Sequence, residues 1–352
     1  MWCVNLASST KEEEQRKLQL TGGSTFILSM PKHWVTRNEL GKGSSVILRE
    51  EEDGSLTVKP PKLERKERQD EAFINISSVD NINAVIRTTI SAYLTGYNVL
   101  HIKARNQQTM PSKLRNHLKN FARNFLVGTE IVIDTPNELT LQVLLNYPEL
   151  TVQSALSRMS IISASMHKDA MTALKNMDHP AAKAVIETDR EVNRFGLYIV
   201  RLLKLAVSNP RVIKEIGLNN PRDCLGYRLI AKSIERTADH ATKICENILL
   251  ISDPINQSTL DKIDQMSVMA TSMFESAIDA LFKKNFNQAE MVIEKLSPIH
   301  KLEKEAILSS QDTQIEEIAV LRLLIESVRR TAEYASDISE VVLNLNVESV
   351  LS

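Results

Sequence analysis

The sequence Ser-Ile-Glu-Arg-Thr-Ala-Asp-His-Ala at residues 233–241 returns 94 positions later as Ser-Val-Arg-Arg-Thr-Ala-Glu-Tyr-Ala at residues 327–335. A second pair of segments, 159–174 and 266–281, shares 7 of 16 residues at an offset of 107. Chance gives about one identity over that length. The offset shrinks because the loop around 209–221 is longer in the first copy. The sequence therefore predicts an internal repeat of one structural unit.

Both copies have the composition of helical bundles. The last of the 10 glycines is Gly226, so the final 126 residues contain none, whereas the turns of β-sheets usually require glycine. In the first copy the predicted helices are residues 153–175, 179–207 and 222–250. We therefore expect two three-helix domains of about 95 residues each, the first at residues 149–252 and the second at 253–352.

The first 62 residues follow a different pattern. Thr21-Gly22-Gly23-Ser24 and Asp53-Gly54 are turn sequences flanked by short alternating segments. Between them the sequence predicts a helix over Pro31–Leu40 with Gly41 at its C-terminal cap. The predicted strands are Arg16–Leu20, Thr25–Met30, Ser45–Arg49 and Leu56–Lys59. Because so small a domain cannot bury much surface alone, we expect it to pair with a second copy.

A third pattern lies between these two regions. Residues 63–71 are highly charged and predict an exposed linker. Residues 72–148 then alternate between strand and helix patterns in the order β-α-β-α-β-β, which predicts a small α/β sandwich. This domain has no glycine-rich nucleotide loop, and the sequence indicates no role for it.

Charge is balanced overall and uneven locally. The net charge of −1 and the 25% of charged residues exclude a uniformly basic coat protein and an acidic disordered tail. Residues 15–38 contain no acid and hold Arg16, Lys17, Lys32, His33 and Arg37. Residues 81–129 hold seven Lys or Arg and again no acid. Such windows indicate either a solvated helix face or contact with an anion such as DNA phosphate.

The chain carries no enzyme signature. Phosphate-loop, dinucleotide-binding, nucleophile-elbow and zinc-protease motifs are absent, and no histidine follows a glutamate by three positions. The three cysteines form no Cys-x-x-Cys pair, so neither a disulfide framework nor a structural zinc site is supported. We therefore predict no catalytic residues. A secretory signal and an 18-residue apolar run are also missing, which predicts a cytoplasmic protein without membrane insertion.

One set of carboxylates has the spacing of a cation site. Glu235 and Asp239 are four residues apart, so both stand on one helix face and repel each other. Asp189, on the preceding predicted helix, can bring a third oxygen. Hard or borderline cations take such ligands. The alternative is a solvated acidic face paired with Lys232 or Lys243.

Residues 233–246 resemble the signature helix of the PhoU family of phosphate-signalling proteins, which are two tandem three-helix bundles. Family members hold metal clusters through paired Glu/Asp-x-x-x-Asp motifs on adjacent helices. The resemblance implies that Asp189, Glu235 and Asp239 bind a divalent or trivalent metal (iron, zinc, manganese or magnesium) in the first repeat. Asn193 stands where the family often has aspartate. In the second repeat the pattern decays to Leu296, His300, Arg329 and Glu333.

Residues 16–60, with Thr-Gly-Gly-Ser, Leu-Ser-Met-Pro-Lys and Gly-Lys-Gly, resemble the AbrB/SpoVT swapped-hairpin domain. In that family two chains interleave their hairpins into one β-barrel, and basic residues on its face contact DNA. The resemblance implies a homodimer and a DNA-binding domain at residues 1–62, although the 21–24 loop departs from the commoner form. The implied DNA contacts are Arg16, Lys17, Lys32, His33 and Arg37.

The expected architecture is thus a multidomain protein: a swapped-hairpin β-barrel, a small α/β domain and an all-α pair of three-helix bundles. An AbrB-type domain joined to a PhoU-type pair is the arrangement of archaeal phosphate-uptake regulators. Two functions follow as alternatives. The first is a transcriptional regulator that binds DNA through the barrel and senses phosphate status through the helical repeats. The second is an interaction protein that restrains a phosphate ABC transporter or a signalling kinase and uses its barrel only to dimerise.

Overall fold

The computed structural model describes residues 14–50, 54–60, 71–77, 80–105, 109–145, 150–251, 254–310 and 315–351. The chain divides into two compact units, residues 1–68 and residues 69–352. The predicted domain boundaries within these units stay predictions, and the predicted linker at 63–71 falls almost wholly outside the described residues.

The first unit contains two antiparallel hairpins and one short helix. Its elements are β1 (Gln19–Thr21), β2 (Thr25–Ile27), α1 (Lys32–Arg37), β3 (Ile47–Glu50) and β4 (Leu56–Lys59). Leu20 faces Phe26 in the first hairpin, and Leu48 faces Val58 in the second. Gly22 has a positive φ of 65°, a backbone conformation that other residues rarely adopt. The four predicted strands are present. The first starts three residues later than predicted and includes Thr21 of the predicted turn, the second ends three residues earlier, and the third starts two residues later.

This unit has almost no core within one chain. Among its described residues, only Pro60 is buried. Large apolar side chains of both hairpins are instead exposed, namely Leu18, Leu20, Phe26, Ile27, Ile47, Leu48 and Leu56. The expectation that four short strands and one helix bury little surface by themselves is therefore confirmed.

Helix α1 is shorter than the sequence predicted. It ends at Arg37, and the residue in the left-handed conformation is Glu39, with a φ of 53°. The Leu40 N–H donates to the Val35 carbonyl at 3.0 Å, which is the closing bond of a Schellman cap. The prediction that Gly41 caps this helix is wrong, because the left-handed cap residue is Glu39, two positions earlier.

The α/β domain has the predicted order of elements. They are β5 (Glu71–Ile76), α2 (Ile82–Thr95), β6 (Val99–Ala104), α3 (Ser112–Phe125), β7 (Thr129–Asp134) and β8 (Glu138–Val143). The sheet order is β5-β6-β8-β7, with β5 parallel to β6 and the other pairs antiparallel. Both helices pack on one face of the sheet, around buried Leu100, Leu118 and Leu139.

The helical region contains the predicted repeat. The first copy comprises α4 (Val152–Asn176), α5 (His179–Ser208), α6 (Pro210–Glu215) and α7 (Asp223–Ile248). The second comprises α8 (Gln257–Lys283), α9 (Phe286–Glu294), α10 (Leu296–Ser309) and α11 (Ile315–Asn346). The three long helices predicted for the first copy agree with α4, α5 and α7 to within two residues. Both copies share one continuous hydrophobic core.

The middle helix of the second copy is divided in two, a division that the sequence pattern did not indicate. The division falls at Lys295. Pro298 follows it in the first turn of α10, and a proline there has no N–H to donate to the Glu294 carbonyl. A continuous helix would leave that carbonyl without its partner, so the chain starts a new helix instead.

A buried arginine joins the α/β domain to the first helical repeat. Arg201 of α5 is fully buried and donates to the carbonyls of Tyr93, Gly96 and Tyr97 and to Asn98 Oδ1. These acceptors end α2, where the last carbonyls of a helix carry partial negative charge. Arg201 therefore caps α2 from another domain, which explains why both regions form one compact unit.

Candidate functional site

The basic residues of the first unit share one surface. Arg16, Lys32, His33 and Arg37 line an open depression together with Glu14 and Thr36. Helix α1 contributes most of this lining, because its lining residues form two pairs spaced four apart, 32 with 36 and 33 with 37, and such pairs are neighbours on a helix surface. The depression thus brings together four of the five residues predicted to contact DNA. The fifth, Lys17, is exposed but does not line it.

An acidic residue lies within this basic surface. Glu14 forms an ion pair with Arg16, and its Oε1 lies 3.8 Å from His33 Nδ1. Glu14 is one residue before the acid-free window, so the sequence pattern did not include it. One carboxylate among these basic groups leaves the depression positive overall.

The three predicted metal ligands lie on two adjacent helices, Asp189 on α5 and the other two on α7. The Asn193 amide donates to Asp189 Oδ2 at 2.6 Å, while Asp189 Oδ1 is buried without a hydrogen-bond partner among the described residues. Glu235 Oε1 accepts from Lys232 at 2.6 Å. The ion pair with Lys232, which the sequence offered as the alternative to metal binding, is therefore present at Glu235.

The electrostatics show that these carboxylates act on one another. Burial, with the charges of Asp239 and Glu235, raises the pKa of Asp189 to about 6. Burial and Glu235 also raise the pKa of Asp239, against the opposing effect of Lys232. The cluster therefore carries uncompensated negative charge, which a proton or a cation relieves.

The donor chemistry fits a metal, while the arrangement does not form a closed site. Over the residues that the structure describes, no three His, Cys, Asp or Glu side chains converge closely enough to hold a metal ion. The orphaned Asp189 Oδ1 and the mutual repulsion of the three carboxylates are nevertheless what an oxygen-ligated cation would relieve. Metal binding at Asp189, Glu235 and Asp239 stays a prediction.

The second repeat carries an internal cation at the corresponding place. Arg329 occupies the position of Glu235 and pairs with Glu303 at 2.8 Å and with Glu333. Burial disfavours the charged guanidinium, but Glu333 and Glu303 outweigh that effect, so the pKa of Arg329 is raised. At the offset of 107, Glu303 corresponds to Gly196 of the first repeat. In the second repeat an arginine thus neutralises the neighbouring carboxylates. This agrees with the sequence, in which the paired acidic motif of the first repeat is not kept in the second.

A polar cluster between the two repeats was not identified from the sequence. His167 of α4 is fully buried; its Nε2 lies 2.9 Å from Ser267 Oγ and its Nδ1 lies 3.3 Å from Thr331 Oγ1. Burial lowers the pKa of His167 to about 4. Nearby, His240 Nε2 lies 3.4 Å from the Tyr334 hydroxyl. His240 and Tyr334 occupy equivalent positions in the two repeats, 94 residues apart. That equivalence is a sequence signal that could have indicated their contact.

Comparisons with known proteins agree with the helical repeat. Residues 156–248 and 263–342 match the PhoU domain family model. Over 204 residues the chain is 21% identical to the phosphate-specific transport system accessory protein PhoU homolog of Clostridium acetobutylicum, covering 55% of this chain and 90% of that protein. The homolog of the same name from Borreliella burgdorferi is 25% identical over 197 residues, which are 51% and 84% of the two chains.

A solved structure and a second family model complete the comparison. The crystal structure of the phosphate transport system regulatory protein PhoU from Streptococcus pneumoniae aligns with a TM-score of 0.49 and 17% identity, covering 57% of this chain and 96% of that one. Residues 19–66 match the model described as antidote-toxin recognition MazE, bacterial antitoxin. Neither family match covers residues 67–155.

The helical region is therefore a tandem pair of PhoU domains, preceded by a small β region of the antitoxin type. The chain belongs to the PhoU domain family and carries an N-terminal MazE/AbrB-type swapped-hairpin domain. Regulatory proteins of this family are generally non-catalytic. None of the helices in the described part of the chain combines the length and apolar character that a membrane crossing requires.

Proposed function

We propose that the protein is a phosphate-responsive transcriptional regulator. Its N-terminal unit binds DNA as a homodimer, and its PhoU domains sense phosphate status through a bound metal ion or a partner protein. The observation that carries this proposal is the depression lined by Arg16, Lys32, His33 and Arg37, in a domain that matches a MazE/AbrB-type model.

The proposed homodimer rests on the exposed apolar residues of the two hairpins. Phe26 and Leu48 are 67% and 59% exposed, and both lie within strands. A second copy that interleaves its hairpins would bury these side chains, at roughly 25 cal/mol for each Å² of apolar surface removed from water. Dimerisation also brings two basic depressions together on one DNA duplex.

The proposed sensing site is the acidic cluster of the first repeat. Asp189, Glu235 and Asp239 would hold the metal (iron, zinc, manganese or magnesium) through oxygen atoms alone, which suits a hard or borderline cation. The bound ion would neutralise the charge that now raises the pKa of Asp189. A phosphate group could then reach the cluster only through such a cation, since the carboxylates themselves repel it.

A second candidate function is an interaction protein that negatively regulates a phosphate transporter or a signalling kinase without specific DNA binding. The names of the two relatives, which are transport system accessory proteins, favour it. Under this alternative the N-terminal unit serves only to dimerise the PhoU domains.

A gel-shift assay separates the two functions. The full chain is titrated against DNA from upstream of phosphate-transport genes and against a scrambled duplex of equal length. The proposed function predicts tighter binding to the upstream DNA, and weaker binding to both duplexes by the Lys32→Ala, Arg37→Ala double variant. Equal, weak binding to both duplexes by the unmodified chain would favour the interaction protein.

A matched control replaces two exposed lysines of the second repeat, Lys301→Gln and Lys304→Gln. These lysines lie on α10, outside the N-terminal unit, so the control removes the same formal charge from the chain. If the control weakens DNA binding as much as Lys32→Ala, Arg37→Ala does, the depression is not the DNA contact.

A further inference from the structure

The second acid-free window forms a surface on the α/β domain. Within it, helix α3 buries Leu114, Leu118 and Ala122 against the sheet. The side of α3 away from the sheet is exposed and polar. It carries Lys113, Asn116, His117, Asn120 and Arg123, and these five residues are here named the α3 basic face.

The acids near this face do not neutralise it. Asp134 of β7 accepts from Arg115 Nε at 2.9 Å and from Lys119 Nζ at 2.7 Å, and the charge of Arg123 also acts on it, so one carboxylate faces three cations. Within the described ranges, neither Lys113 nor Arg123 has a carboxylate within ion-pair distance. The surface therefore keeps an excess of positive charge.

The composition of the face indicates the kind of ligand. Exposed large apolar side chains occur in many parts of this chain, but none lies on α3 among the described residues. Protein–protein interfaces usually have an apolar, aromatic-rich core, which this face lacks. Cations interleaved with asparagine amides instead match the contacts that proteins make with nucleic-acid phosphates.

The length of the face also suits a nucleic-acid strand. Lys113 and Arg123 are ten residues apart on one helix, a span of about 15 Å at 1.5 Å per residue. One strand of B-DNA carries a phosphate about every 3.4 Å along the helix axis. The face is therefore long enough to follow about four phosphates.

We propose that the α3 basic face is a second, sequence-independent contact for DNA phosphates. The inference rests on the proposed function, because the N-terminal unit would bring DNA to the same molecule. A tethered second contact adds to the overall affinity even when it is weak by itself. The α/β domain, which neither family match covers, would then contribute to DNA binding.

The test measures the salt dependence of DNA binding by the full chain. Fluorescence anisotropy with a mixed-sequence duplex at a series of NaCl concentrations gives the slope of log K against log salt. Each lost phosphate contact makes that slope shallower by about 0.9. The Lys113→Gln, Arg123→Gln variant should therefore have a slope about 1.8 shallower for each chain whose face is engaged, and should bind all duplexes more weakly by the same factor.

Two further variants keep the test independent of folding. Lys301→Gln, Lys304→Gln on α10 is the matched control and should keep the unmodified slope. Asp134→Asn frees Arg115 and Lys119, so it should make the slope steeper by about 0.9 or more and tighten binding. If Asp134, Arg115 and Lys119 only stabilised the fold, Asp134→Asn would not increase the affinity for DNA. Circular dichroism melts verify that each variant is folded.

The outcomes distinguish this inference from the proposed function. If Lys113→Gln, Arg123→Gln behaves like the α10 control, the inference is wrong, whatever the N-terminal variant does. If Lys32→Ala, Arg37→Ala alone loses DNA binding, the proposed function stands without it. If only the α3 variant loses binding, the α3 basic face is the DNA contact and the proposed role of the N-terminal depression is wrong.

Discussion

The buried His167 should make the stability of the helical region depend on pH. Its ring lies between α4 of the first repeat and α8 and α11 of the second, and its partners are the hydroxyls of Ser267 and Thr331. Neither partner carries a charge that would stabilise an imidazolium. The ring is therefore neutral in the folded protein down to a pH of about 4, whereas in the unfolded chain it takes up a proton near pH 6.5.

The sign and size of the effect follow from proton linkage. Between pH 6.5 and pH 4 the unfolded chain binds more protons at this residue than the folded protein does, so stability falls as the pH falls. With a folded pKa of about 4 and an unfolded pKa of about 6.5, the loss between pH 8 and pH 5 is about 2 kcal/mol. Below pH 4 the loss levels off at about 3.4 kcal/mol.

The perturbation is His167→Gln, and the assay is urea unfolding at pH 8, 6.5 and 5 followed by circular dichroism at one protein concentration. Glutamine does not titrate and can still hydrogen-bond to Ser267. The variant should lose about 2 kcal/mol less than the unmodified protein between pH 8 and pH 5. Titrating groups that do not interact with His167, such as Asp189, are present in both proteins and cancel in the difference.

His117→Gln, at an exposed position of α3, is the matched control for the exchange of histidine for glutamine. The smaller loss of stability between pH 8 and pH 5 should follow only from the exchange at the buried position. Identical pH dependence in the unmodified protein and in His167→Gln would refute the reasoning, because the buried ring would then contribute nothing to the linkage.

Three further outcomes are expected. The double variant Glu235→Gln, Asp239→Asn should abolish any rise in melting temperature on adding metal. The control variant Glu333→Gln should leave that rise intact. If elemental analysis finds equal metal in the unmodified protein and the double variant, these carboxylates are not the metal ligands. Arg201→Met should lower the free energy of urea unfolding by about 3 kcal/mol, because buried carbonyls of α2 lose a charged donor; a change below about 0.5 kcal/mol would show that the cap contributes little. Phe26→Asp should shift the protein from dimer to monomer in sedimentation velocity, and an unchanged dimer would place the proposed dimer contact elsewhere.

Much of the candidate sites could be predicted from local sequence patterns. Lys32, His33 and Arg37 line one depression because they lie on one short helix, and residues of one short helix stay close whatever the rest of the fold does. Arg16 lines the same depression from outside that helix, which the helical spacing did not predict. Glu235 and Asp239 were placed on one face by their spacing alone. Asp189 lies on a different helix from Glu235 and Asp239, so spacing alone could not place it beside them. The repeated three-helix unit gave the reason to expect its helix next to α7.

Other features depend on contacts between distant parts of the chain. Arg201 and Tyr93 are 108 residues apart, and His167 and Ser267 are 100 apart. A polar residue in a helix has the same local pattern whether its face meets water or another helix, so its burial cannot be read from periodicity. The same holds for Glu303, whose pairing with Arg329 depends on how α10 packs against α11.

The sequence by itself determined the repeat, the long helices and the order of strands and helices along the chain in the α/β domain, but not the order of its strands within the sheet. These depend on apolar periodicity, glycine and proline, which act within a few residues. The tertiary structure alone decided which charges are compensated. Arg329 finds Glu303 and Glu333, while Asp189 Oδ1 has no hydrogen-bond partner among the described residues. Electrostatic energies depend on distance and burial in space, which the order of residues along the chain does not fix.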